Sequence, residues 1–128
     1  MARGLNKVMI IGNLGSDPEM RYTPTGRPVT SFSVATSRSW VTSEGEQREA
    51  TEWFRVVAWG NLAEICNRYL SKGSRVYVEG RLQTRSWENQ GQKHYRTEVV
   101  ANEMVLLDSR KPRLVEEEGV EEDPPGVE

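Results

Sequence analysis

Apolar positions along the chain recur mostly at every second residue, and once, in the middle, at every third or fourth. Residues 5–14 open the first pattern, and Val8 to Ile11 are apolar on both faces. A strand of that kind is either central or has one face covered by another subunit. Gly12 and Gly15 allow the bend that a small barrel needs at its corners. Asp17-Pro18 makes a turn, residues 19–23 suit a short strand, and Pro24-Thr25-Gly26 turns the chain again. Residues 29–40 form the second long strand, with Phe32 and Val34 on its core face. A polar loop over 41–50 leads into residues 51–60, where β-branched and aromatic residues dominate and no proline intervenes.

The period then changes. Leu62, Ile65, Cys66, Tyr69 and Leu70 recur at helical spacing, which predicts a helix over 61–72 with one apolar stripe. Asn61 is placed to cap it, Glu64 to complete a capping box, and Gly73 to stop it. Cys66 lies on the stripe and reads as packing rather than chemistry. Residues 74–87 and 93–107 are the last two long strands, joined by a turn over 88–92. Three long strands, one helix and two more strands is the layout of an all-β, five-stranded OB-fold barrel with its helix between strands three and four. The barrel domain is expected over 1–107. A linker and a tail too polar to fold alone follow over 108–128.

Two strands carry more than a core requires. Trp53, Arg55, Val57 and Trp59 share one face of theirs, with Phe54, Val56 and Ala58 on the core side. Two indoles around a guanidinium make a poor core, because a buried arginine must be paired. In residues 74–87, Val76, Val78 and Leu82 share one face, while Arg75, Tyr77, Glu79, Arg81, Gln83, Arg85 and Trp87 share the other. Flat rings interleaved with cations can stack bases and hold phosphates. Packing against other elements or a subunit interface would also account for Trp53 and Trp59. A solvated face would account for the arginines, but not for Tyr77 and Trp87 among them. Trp40 falls on the core parity of its strand, yet its place at the strand end beside Arg38 leaves exposure open. His94 and Arg96 stand near the start of the last strand, where His94 reads as solvated or phosphate-facing.

Charge sharpens this picture. The net charge of −2 is the sum of two unlike parts. Residues 1–113 hold all 17 bases against twelve acids, a balance of +5, whereas residues 114–128 hold seven acids and no base. The chain is a basic body with an acidic tail. One histidine and one cysteine leave no basis for a zinc cluster or a disulfide framework. There is no phosphate-binding Gly-rich loop and no paired carboxylates, so neither an enzyme nor a cofactor is expected. No apolar run nears the roughly 20 residues that span a bilayer. The N-terminus carries no signal-peptide pattern, and the cytoplasm is the simplest compartment.

These residues also carry a resemblance. Arg3-Gly-Leu-Asn-Lys-Val, Gly12-Asn-Leu-Gly-Ser-Asp-Pro-Glu-Met-Arg-Tyr, Ala35-Thr-Ser-Arg-Ser-Trp40, Thr51-Glu-Trp-Phe-Arg-Val-Val, Tyr69-Leu-Ser-Lys-Gly and Val76-Tyr-Val-Glu-Gly-Arg-Leu-Gln-Thr-Arg-Ser-Trp87 stand in register over Arg3 to about Leu107. In this the chain resembles the bacterial-type single-stranded DNA-binding proteins. The resemblance implies an OB-fold, usually homotetrameric, that protects single-stranded DNA in replication, repair and recombination. It implies stacking at Trp40, Trp53 and Trp87, with Trp59 at a fourth aromatic position. Arg3, Arg21, Arg55, Lys72 and Arg85 match basic family positions, and Arg81 and Arg96 join them from the strand faces. Asn61, Ser71, Gln83 and Ser86 replace residues that are commonly basic. Family members often end in an acidic tip with Pro-Phe that docks replication and repair proteins; this chain ends Asp123-Pro-Pro-Gly-Val-Glu128. A cold-shock-type RNA-binding module would use a similar surface. A primosome-type adaptor would be expected to have lost most of the tryptophans.

The tail bears seven of the 19 acids and should compete with phosphates for the basic body. Salt screens such attraction over about 8–10 Å near physiological strength. Removing residues 114–128 should therefore tighten DNA binding at low salt and change little at high salt. Titrations of both forms at two salt concentrations check this, and equal low-salt affinities would leave the tail without that role.

Overall fold

The computed structural model describes residues 3–108. In chain order its elements are β1 (Val8–Leu14), β2 (Glu19–Tyr22), β3 (Pro28–Val41), β4 (Gln47–Trp59), α1 (Gly60–Tyr69), β5 (Arg75–Asn89) and β6 (Gln92–Leu106). The sheet runs β1-β5-β6-β4-β3-β2, and β1 also pairs with β3 at Asn13↔Ala35 and Leu14↔Val34. That second pairing closes five long strands into an OB-fold barrel, with β2 as a short strand on β3. Strand pairs are antiparallel except β4–β6, which is parallel at Val56↔Val99. The expected tail and most of its linker lie outside the described residues.

Alternation fills the barrel. Ile10, Phe32, Val34, Val56, Val76, Val78 and Val99 point inward and are buried. Each such side chain contributes about 1.5–3 kcal/mol by leaving water. Two glycines let the strands approach closely. A Cβ on Gly12 would meet the carbonyl oxygen of Ala35 where β1 joins β3, and one on Gly80 would meet that of Val100. At Gly80 the β5–β6 register slips, from Glu79↔Glu103 to Gly80↔Ala101, and the barrel wall turns there.

The helix differs from expectation at both ends. It starts at Gly60, directly after β4, and Trp59 at the N-cap position makes no side-chain capping bond. Gly60 has φ +64, a left-handed conformation that turns strand into helix without a cap residue. Asn61 is thus already inside the helix, and the capping box is not formed. The helix stops at Tyr69 because Leu70 is extended, three residues before Gly73. Ala63, Cys66 and Leu70 are buried and Leu62 packs against the core, but Ile65 and Tyr69 of the expected stripe are exposed. The small Ala63 brings the helix close enough for its carbonyl to accept a buried hydrogen bond from Thr30 Oγ1 at 2.7 Å. Burial also pushes the Cys66 thiol up to about 11, which keeps it protonated and inert.

Two hairpins run longer than their composition suggests. β3 and β4 stay in unbroken register out to Val41↔Gln47, so the loop shrinks to residues 42–46. β5 and β6 continue to Asn89↔Gln92, around a turn in which Gln90 and Gly91 both have positive φ. Leu82 shares the face of the buried Val76 and Val78 but is exposed on this second hairpin beyond Gly80. Asn6 brackets its backbone there, donating to Leu82 O and accepting from Leu82 N, both at 2.9 Å.

Gly12→Ala and Gly80→Ala should each destabilise the fold by about 1–3 kcal/mol, because a backbone carbonyl occupies the methyl's place. Gly4 has nothing within 4 Å of such a methyl, so Gly4→Ala should be neutral. Urea denaturation of the three variants checks the contrast.

Candidate nucleic-acid interface

Residues opposite one another on neighbouring strands point to the same side of a sheet. Val29↔Trp59, Ser33↔Arg55 and Ala35↔Trp53 join the outer faces of β3 and β4. Val57↔Val100 carries that face onto β6. Arg81↔Val100, Gln83↔Glu98, Arg85↔Arg96 and Trp87↔His94 carry it onto β5, and Arg21↔Val29 extends it to β2. One continuous outer surface therefore collects Trp53, Trp59, Trp87, Arg21, Arg55, Arg81, Arg85 and Arg96.

At its centre stands Glu98, which the strand patterns do not single out. The Glu98 side chain is only 5 % exposed and is held from both sides. Arg55 Nε donates to its Oε2 at 3.1 Å; Arg85 donates through Nε to Oε1 at 3.1 Å and through Nη2 to Oε2 at 3.2 Å. A carboxylate withdrawn from water needs such partners. A cleft of about 270 Å³ opens over the group, lined also by Arg21, Ser31, Trp59 and Gln83.

Three of the four indoles already carry a cation. The Arg27 guanidinium lies 4.8 Å from the Trp59 ring centre, and that of Arg38 lies 4.6 Å from Trp40. Trp87 stacks on His94 at 5.6 Å with Arg85 and Arg96 at 5.9 and 5.8 Å. Such contacts hold a ring in place and leave part of its face open. Among the described residues no cation or ring lies over Trp53, which is 61 % exposed. Its ring edge rests against Gly15, where an added Cβ would lie 2.5 Å from Cζ3.

The remaining expected residues are spread around this surface. Trp40 keeps the parity of Phe32 and Val34, so it projects from the opposite side of the β3–β4 ribbon to Trp53. It is nevertheless exposed, because the ribbon there has left the barrel. Lys72 is exposed in the turn before β5; its backbone N–H donates to Asp17 at 2.8 Å, and Gly73 N–H donates to Leu14 O. Those bonds tie its loop to the β1–β2 turn that carries Gly15. Arg3 is exposed upstream of the Asn6 bracket. Tyr77 leaves the group altogether. It lies opposite Ile11 on the β1 side of the barrel, where its hydroxyl donates to Glu79 Oε1 at 2.6 Å and Lys7 Nζ meets Glu79 Oε2 at 3.0 Å. The Glu79 carboxylate accepting that bond pushes the phenol up to about 12, while Tyr77 and Lys7 pull the Glu79 carboxyl below its usual range. Tyr77 and Trp87 share parity along β5, but the wall turns between them at Gly80.

Residues 5–107 match the model of the single-strand binding protein family. The chain belongs to that family. It is 55 % identical over 112 residues to single-stranded DNA-binding protein 1 of Chlorobaculum tepidum, covering 86 % of this chain and 69 % of that relative. Among solved structures it resembles the Plasmodium falciparum SSB complex with ssDNA, with TM-score 0.78 and 35 % identity over 84 % of this chain and 99 % of that one. A deletion mutant of the single-stranded DNA binding protein from Thermus aquaticus gives TM-score 0.75 and 39 % identity. That match covers 86 % of this chain and 54 % of the other.

Within this family fold, Arg27 and Glu98 are the residues that strand patterns alone did not single out. Arg27 sits in a turn and reaches Trp59 through space. Glu98 had a signal: Arg55, on a half-buried face, needed an anion, and Glu98 is the acid of β6 that shares a face with Arg96 and Val100. A methyl at Gly15 should displace the Trp53 ring without unfolding the barrel, because only a side chain has to move. In Gly15→Ala, the indole N–H resonance of Trp53 should shift while those of Trp40 and Trp87 stay in place.

Proposed function

We propose that this single-strand binding family member holds single-stranded DNA along the outer face of β3, β4, β6 and β5, with little sequence preference, and protects it in replication, repair and recombination. One observation carries the reading: register alone brings three tryptophans and five arginines onto one uninterrupted surface. Bases stack on Trp53, Trp59 and Trp87, and on Trp40 where the strand crosses the β3–β4 ribbon. Arg21, Arg55, Arg81, Arg85 and Arg96 neutralise phosphates, with Arg3 and Lys72 at the margins. Every base has a π-face, and the backbone is the same for every sequence, so such a surface does not discriminate. No catalytic step is involved.

The four retained tryptophans favour this reading over a protein-binding adaptor. Competition between matched DNA and RNA oligomers separates it from a cold-shock-type RNA binder. We place the protein in the cytoplasm, where single-stranded DNA arises, and leave replication and repair proteins as partners of the acidic tail.

Assembly as a homotetramer fits β1. Met9 and Ile11 are 64 % and 50 % exposed. Among the described residues, Val8 to Gly12 pair with β5 on one edge only. A second copy would cover both that apolar face and that open edge.

Oligo-dT should quench the tryptophan fluorescence. Trp53→Ala and Trp87→Ala should each weaken binding by about 1–3 kcal/mol, the usual loss for a base stacked on an aromatic ring in proteins of this kind. Unchanged affinity in both would place the DNA elsewhere. Sedimentation at micromolar concentration should give four times the 14.6 kDa chain mass, and a monomer would refute the assembly.

A further inference from the structure

We infer that Glu98 is a positioning residue for phosphate contact: it grips Arg55 and Arg85 by their inner edges and so presents their outer edges to the DNA backbone. The inference rests on the proposed DNA-binding reading and goes beyond it, because an acid at the centre of a DNA-binding face would by charge alone oppose binding.

The geometry supports presentation over simple neutralisation. A guanidinium has five N–H donors in a rigid fork. Arg55 spends only Nε on Glu98, leaving both terminal nitrogens unused in that contact. Arg85 spends Nε and Nη2, leaving Nη1. Both arginines therefore meet the carboxylate side-on. The burial gradient points the same way: the Glu98 side chain is 5 % exposed, against 35 % for Arg55 and 54 % for Arg85. The anion is inside and the two cations lie between it and solvent. Together the three groups keep a net charge of +1 at the floor of the cleft that Arg21 and Trp59 also line. Long side chains fixed before the ligand arrives lose less freedom on binding. Glu98 is itself fixed, on β6 beside the parallel β4 seam, so it sets the spacing of two arginines from different strands.

Presentation and neutralisation predict opposite signs in one experiment. For single strands, the salt dependence of log K steepens by about 0.7 for each phosphate neutralised. If Glu98 presents the arginines, Glu98→Gln loosens them. The slope against log salt should then become shallower by about 0.7–1.4, the loss of one or two phosphate contacts, and affinity at low salt should fall. If Glu98 merely offsets charge, removing it should tighten low-salt binding and steepen the slope, and that result overturns the inference. Arg85→Lys supplies the second arm. Lysine keeps the charge but has no Nε edge with which to hold Glu98 while offering other donors to phosphate. It should flatten the slope as Glu98→Gln does, and an unchanged slope would also overturn the inference. Arg85→Lys decides the matter alone if Glu98→Gln fails to fold, as judged by thermal unfolding and sedimentation. The two readings fail separately. If the double variant Arg55→Ala/Arg85→Ala weakens binding but Glu98→Gln and Arg85→Lys do not, only the Glu98 inference falls. If none of them weakens it, the DNA-binding face itself is misplaced. Oligo-dT in full-length protein is the probe throughout.

Discussion

A carboxylate shut away from water has to be paired, and in this barrel that requirement is met at the seam where β4 and β6 run parallel. Glu98 projects outward from β6, next to Val99, which projects inward to the core. Its two arginines come from β4 and β5, the strands on either side. The same register that packs Val56 against Val99 therefore also sets two guanidiniums on one surface. The core and the tryptophan–arginine face are opposite sides of the same pairing, so neither can slip without the other.

The hairpin arms extend that surface past the barrel. A five-stranded barrel needs strands only long enough to enclose its core, but β3, β5 and β6 run to 14, 15 and 15 residues. Their surplus length buries little. It carries Trp40 on one ribbon and Trp87, His94 and Arg96 on the other, with rings held by stacked cations instead of a core. Rings placed this way are oriented in advance, as the proposed stacking of bases requires.

Much of this was legible in the chain. Alternation marks the long strands along the chain, the core faces of β3 and β4, and the tryptophan–arginine faces of β4 and β5, because period-two patterns report directly on which side of a sheet a residue lies. The failures have separate physical causes. Polar strands in the two hairpins look like loops, since nothing in their composition records a partner strand. The helix starts at Gly60 because that left-handed residue takes the place of the cap expected at Asn61, and it stops at Tyr69 because Leu70 is extended, well before Gly73. Tyr77 shares the parity of Trp87, but parity counts residues and takes no account of a wall turning at Gly80. Glu98 and Arg27 escaped because each acts on residues distant in sequence, and pairing across strands is visible only once the strands are placed.

On the proposed reading, single-stranded DNA lies on the outer face of β3 to β6 with its backbone at the arginines that Glu98 holds. A crystal structure of the protein with oligo-dT tests this most directly. Phosphate oxygens should lie within hydrogen-bond distance of the outer nitrogens of Arg55 and Arg85, with bases stacked on Trp53 and Trp87. DNA lying instead across α1 or the Met9–Ile11 face, with Arg55 and Arg85 untouched, would contradict it.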